Sequence, residues 1–153
     1  MKLKILLLLP LLCLFQSCSW LENFVITNET TENITIEYEL EERLDGFPIF
    51  DTQPESYKLN SDNTIYWNEV IKTADLDTAR YLVKVILPPK QGLVLGTLSN
   101  DNYKQHDQYF INGRHFNLKH LKIQTPKTTT EITAKNFDSY FTKVKGQIAY
   151  GVK

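Results

Sequence analysis

Beyond residue 18 the chain has no cysteine; its two, Cys13 and Cys18, both fall in the opening segment. That excludes a disulfide framework, a thiolate metal site and a cysteine nucleophile from everything that follows. Glycine is scarce, and Gly92, Gly96, Gly113 and Gly146 are dispersed rather than grouped in a Gly-rich motif, so no phosphate-cradling loop is expected. Seventeen Lys and Arg stand against 18 Asp and Glu without a basic patch, and nucleic acid is not an expected partner. There is no internal repeat and no low-complexity linker. The longest apolar run, residues 5–15, would rise roughly 16 Å as a helix, whereas a bilayer core needs about 20 residues. It is too short to span.

That run has instead the length of a signal-peptide core, preceded by Lys2 and Lys4 and interrupted by Pro10 and Cys13. An ordinary secretory cleavage site wants small residues at positions −3 and −1. Here only Ser17, immediately before Cys18, is small. The string Leu14-Phe15-Gln16-Ser17-Cys18 resembles the lipobox of bacterial lipoproteins, in the looser form found in Bacteroidota. The resemblance implies cleavage between Ser17 and Cys18 and a lipidated Cys18 carrying two or three acyl chains. One chain would anchor only marginally, since each buried CH₂ contributes about 0.8 kcal/mol. Ser19, rather than Asp, follows the cysteine, which by the same resemblance favours the outer membrane and leaves the periplasmic or surface face open. Cys13 follows bulky Leu12 and is read as part of the apolar run.

The expected organisation is therefore a signal peptide over residues 1–17, a lipidated tether over 18–22 and one β-sandwich domain over 23–153. Removing Lys2 and Lys4 takes the basic count from 17 to 15 against 18 acids, a balance of −3.

The remainder reads as strands. Residues 33–40 alternate, with Ile34, Ile36, Tyr38 and Leu40 on one face and Thr35, Glu37, Glu39 and then Glu41 on the other, the pattern of a half-buried antiparallel strand. Residues 24–26 form a preceding strand, joined to it as a hairpin, and the acidic face is expected to discourage edge pairing. Further strands are expected at 57–59, 64–67, 80–87, 93–98 with Gly96 as a bulge, 118–124, 128–133 and 147–152. Asn112-Gly113 predicts a hairpin turn. Residues 67–74 have helical spacing but no cap and are read as a loop or single turn. Asn136 is expected to cap a short helix over 137–143. The predicted fold is all-β, an antiparallel sandwich of about eight short strands with one C-terminal helix. A small lipocalin-like barrel is the alternative.

No residues emerge as catalytic, no metal site is expected and no cofactor is implied. His115 and His120, five apart, would fall on opposite faces of a strand and are poorly placed to share a metal. His106 and Asp107, with Asp101 nearby, form the one histidine–acid cluster, and solvated loop residues are its simplest reading. Asn28-Glu29-Thr30 and Asn33-Ile34-Thr35 match the eukaryotic N-glycosylation pattern by chance. Asp77-Thr78-Ala79 resembles the O-glycosylation motif of Bacteroidota, which would place a glycan on Thr78.

The function expected is a lipid-anchored envelope lipoprotein that is a non-catalytic binding or structural module. Its partners would be the membrane, through Cys18, and a protein or glycan met by loops 45–56, 72–78 and 100–108. Two other classes fit less well: a carrier holding an apolar ligand in a barrel lined by Tyr and Phe, and a hydrolase using His106 with Asp101 or Asp107.

Overall fold

A computed structural model describes residues 19–42, 46–71, 81–111, 113–144 and 146–153. Twelve strands follow in order among them: β1 (Leu21–Asn28), β2 (Ile34–Leu40), β3 (Phe47–Pro48), β4 (Phe50–Leu59), β5 (Ile65–Ile71), β6 (Leu82–Leu87), β7 (Gln91–Ser99), β8 (Arg114–His115), β9 (Leu118–Gln124), β10 (Thr129–Ile132), β11 (Thr142–Val144) and β12 (Gln147–Val152). They form a six-stranded sheet, β11-β12-β1-β7-β4-β5, a four-stranded sheet, β10-β9-β2-β6, and a minor pair, β3-β8. The fold is all-β and sandwich-like, and the two main sheets do not close into a barrel.

One core lies between the main sheets. From the six-stranded side come Phe24, Ile26, Phe50, Leu93, Leu95, Leu98 and Ile148; from the other come Ile34, Ile36, Tyr38, Val83, Val85, Leu121 and Ile123. Phe137 stands at its centre, stacked 4.1 Å from Phe141 and edge-on to Phe116 at 5.1 Å, with Phe24 and Phe50 within 6.3 Å. Such ring pairs add about 0.5–1.5 kcal/mol each beyond area burial. The interior that a barrel carrier would keep open is filled with aromatic side chains.

Several expectations are corrected. β1 and β2 are not a hairpin: they belong to different sheets, β1 pairing with β7 and β12 and β2 with β6 and β9. The sheets are not wholly antiparallel, because β1 runs parallel to β12. β2 is internal rather than an edge, and its acidic face is met by lysines of both neighbours. Glu37 lies opposite Lys84, 3.6 Å away, and opposite Lys122, while Glu39 pairs with Lys119. Residues 67–71, expected as a loop or single turn, continue the strand expected at 64–67 as edge strand β5; the rest of that expectation, 72–74, lies outside the described residues. The expected helix over 137–143 is one 3₁₀ turn, Phe137–Ser139, after which Thr142–Val144 pairs with β12. Phe137 and Phe141 must both enter the core, and strand pairing takes the residues that would have completed a helix. Asn136 does not cap that turn; its Oδ1 accepts the Thr133 N–H at 2.6 Å. Arg114–His115, after Gly113, pairs in parallel with Phe47–Pro48 rather than in a hairpin; Asn112 lies outside the described residues.

Gly96 sits at a bulge, as expected. Opposite β1 the register jumps from Phe24↔Gly96 to Val25↔Val94, and opposite β4 from Phe50↔Gly96 to Glu55↔Val94. A Cβ on Gly96 would lie 2.0 Å from the Ile49 carbonyl oxygen. Only a residue without a side chain lets the two backbones approach this closely.

Candidate functional site

Successive residues of a strand face opposite ways. Phe24 and Ile26 of β1 enter the main core, so Val25 points to the outer face of the six-stranded sheet. There it is fully buried in a second apolar cluster with Tyr57 and Ile65, flanked by Leu59, Val94 and Ala149. Trp67 of β5 packs edge-on against Tyr57, ring centroids 5.2 Å apart, and stays half-exposed. The Tyr57 hydroxyl donates to Glu55; burial, then that hydrogen bond and the carboxylate's charge, push its pKa up to about 12.

Beside this cluster runs an open groove of about 630 Å³. Its lining includes Thr27, Asn63, Thr64, Trp67, Gln147 and Gly151. The register explains the floor, since Thr27 lies opposite Gly151 and Val25 opposite Ala149. Small residues on β12 leave it low. The carboxylate of Glu29 lies over Gly151, where a Cβ would meet it at 2.3 Å, and accepts the Thr27 hydroxyl at 3.1 Å. One flat aromatic ring is thus fixed beside hydroxyls, amides and a carboxylate, a set that can stack on an apolar ligand face and hydrogen-bond its polar edge.

A second concavity, about 270 Å³, lies under β3 and includes Glu41, Asp51, Tyr81, His115 and Asn117 in its lining. His115 Nε2 is 3.2 Å from Glu41 Oε2. Asn117, buried, accepts the N–H groups of Ile49 and Phe50 at 3.1 and 2.8 Å and donates to the Phe50 carbonyl at 3.0 Å, adding to the bond from the Ile49 N–H to the His115 carbonyl at 3.1 Å. The Tyr38 hydroxyl donates to the Asp51 carbonyl at 2.6 Å, and burial, with the Asp51 charge, raises its pKa.

Cys18, Ser17 and Thr78, the residues expected to be processed or modified, lie outside the described residues, as does loop 72–78. Most of loop 45–56 is not loop, since Phe50–Leu59 is a strand. Loop 100–108 is held down. Glu22, buried at the start of β1, accepts the Tyr103 N–H at 2.7 Å and pairs with Lys143 at 2.5 Å. The Tyr103 hydroxyl donates to Asp138 at 2.7 Å, and burial followed by this bond raises its pKa.

The histidine–acid cluster is rearranged. His106 Nδ1 lies 3.7 Å from Asp138, while Asp101 and Asp107 accept the N–H groups of Ile111 and Tyr109. His115 and His120 are on separate strands, beside Glu41 and Glu131 respectively. Among the described residues no three His, Cys, Asp or Glu are grouped to hold a metal. Asn28 spends its amide on the Glu32 and Leu87 carbonyls at 2.8 and 2.9 Å and is fully buried, so the Asn28-Glu29-Thr30 pattern is structural.

Neither the groove nor the His115–Glu41 pair was visible in the sequence, because each joins residues far apart along the chain. The one local hint was the Tyr66-Trp67 pair beside a turn. No family model, curated protein or solved structure matches the chain.

Proposed function

We propose that the chain is a lipid-anchored envelope lipoprotein, built as a β-sandwich, that binds a saccharide without catalysing a reaction. The observation that carries the binding half is the groove on the outer face of the six-stranded sheet, with Trp67 fixed against Tyr57 and hydroxyl and amide side chains around it. Sugars offer an apolar ring face for the indole and a rim of hydroxyls for Thr27, Asn63, Thr64 and Gln147. The anchoring half rests on the resemblance of residues 14–18 to a Bacteroidota lipobox. The lipid on Cys18 would hold the domain on the outer membrane, and Thr78 would carry an O-glycan.

Acylation is tested by intact mass and alkyne-palmitate labelling in a bacterial host. The wild type is expected to lose residues 1–17 and gain acyl chains, and Cys18→Ala to gain none. A mature wild-type chain without acyl mass would sink the anchor. The groove is tested on a glycan array with the soluble domain. Binding that survives Trp67→Ala, or an array with no ligand, would remove the saccharide reading.

A further inference from the structure

Five large apolar side chains are exposed around the start of β1 and the loops beside it. Trp20 is 51% exposed, Leu21 58%, Phe47 63%, Tyr109 81% and Ile111 52%. A run of contacts links four of them, Trp20, Leu21, Phe47 and Ile111, and Tyr109 stands two residues before Ile111 on the same segment. The Trp20 indole N–H donates to the Asp101 carbonyl at 3.0 Å, and the Asp101 carboxylate accepts the Ile111 N–H at 2.7 Å. The Ile111 carbonyl accepts the Arg114 N–H at 3.2 Å, and the Arg114 guanidinium lies 5.6 Å from the Phe47 ring centroid. Arg114 also donates to Ser99, which lies opposite Leu21 in the β1–β7 register, closing the circuit. Below the rim, Glu22, Tyr103, Asp138 and Lys143 lock the loop to the sheet. The rim is therefore held in place in the folded domain.

Exposing five large apolar side chains in water is unfavourable unless something covers them. The chain's own beginning says what does. Trp20 is two residues from Cys18, so its backbone lies at most about 7 Å from that cysteine. Tryptophan and tyrosine concentrate at the headgroup level of bilayers, where an apolar ring and a polar edge are both satisfied. Arg114, its guanidinium near the Phe47 ring, suits lipid phosphates, while the carboxylates of Asp101 and Asp107 are turned onto backbone N–H groups.

We propose that this rim is a membrane-docking surface: Trp20, Leu21, Phe47, Tyr109 and Ile111 seat in the headgroup region of the bilayer that holds the acyl chains of Cys18. The inference rests on the lipid anchor proposed above. Docking fixes the orientation as well as the location. β1 then rises from the membrane, and Asn28 with its partner Val152 lies roughly 25 Å farther out. The groove beside β1 stands upright, open to the side and to the distal end.

The test uses the acylated full chain carrying Trp67→Phe, which leaves Trp20 as the single tryptophan. It is reconstituted in phosphatidylethanolamine–phosphatidylglycerol vesicles with lipids brominated at shallow or deep acyl positions. Acylation is read by intact mass on the same sample. The expected result is a blue-shifted Trp20 emission, quenched about twofold by shallow bromines and less by deep ones. In Tyr109→Ser/Ile111→Ser, acylated equally, quenching should fall by about half as the rim lifts. An acylated chain whose Trp20 is unquenched overturns the docking and leaves the anchor standing. A blue-shifted but unquenched Trp20 also overturns it, by placing a protein surface on the rim. A chain without acyl mass overturns both.

Discussion

On the four-stranded sheet the outward residues of β2 are Thr35, Glu37 and Glu39, met by Lys84, Lys122 and Lys119 from the strands on either side. On the six-stranded sheet the outward residues of β1 are Asn23, Val25 and Thr27, among Val94, Ala149 and the Tyr57–Trp67 pair. Both sheets bury one face against the same core. The first gives most of its other face to charge, with Ile86 an exposed apolar exception. The second keeps an apolar strip and a groove there, and needs a bulge at Gly96, a parallel strand and a buried Glu22 to hold that shape. That apolar strip is the contrast on which the binding proposal rests.

The largest expected effect breaks the specialised sheet. Gly96→Ala drives a Cβ into the Ile49 carbonyl, which is backbone and cannot rotate away. A loss of about 3 kcal/mol is expected in urea unfolding. A loss below about 1 kcal/mol would mean that the β4–β7 approach is looser than described.

Alkali should act next. Tyr38, Tyr57 and Tyr103 have pKa values raised above 10.0 in the fold, mainly by burial. Where the unfolded chain has lost those protons and the native state keeps them, native stability falls as pH rises. Their contribution is complete below pH 10 and declines from about pH 10 upward, for Tyr57 until about pH 12. Each group adds up to about 1.4 kcal/mol per pH unit to the slope. Tyr103→Phe should flatten the slope by one such increment, and an unchanged slope would contradict the burial of its hydroxyl against Asp138.

The smallest effect sharpens the contrast. Glu37→Thr, on the charged face, should change stability by less than about 1 kcal/mol, and that small change should vanish in high salt.

How much of this was legible depended on the sheet. β2 was readable because it is flanked on both sides and buries one face, so its alternation is undiluted. β5 was legible only in its first residues, within the strand expected at 64–67: from Trp67 to Val70 every residue is exposed, so burial leaves no period in the sequence. What makes it a strand is pairing with β4, including the Ser56 hydroxyl on the Ile71 carbonyl at 2.6 Å. The spacing of Phe137, Tyr140, Phe141 and Val144 looked helical because a single 3₁₀ turn and a following strand can place aromatic rings on one side just as a helix does. Glu22 and Asn117 were unreadable as buried groups, since the atoms that satisfy them lie more than 60 residues away. The bulge at Gly96 was legible because one residue carries its cause. Residues 14–18 carried the location reading by themselves, and no tertiary contact was needed to make it.

The two outer faces can be compared directly by titrating the isotope-labelled domain with the tightest array saccharide and following backbone amide shifts. Trp67→Ala and Ile86→Ala supply one variant per face, Ile86 being the exposed apolar residue of β6. Shifts are expected along Thr27, Thr64, Trp67 and Gln147, with affinity about tenfold weaker in Trp67→Ala and unchanged in Ile86→Ala. Shifts centred on β2 and β6, or equal affinity in Trp67→Ala and wild type, would contradict saccharide binding in the groove.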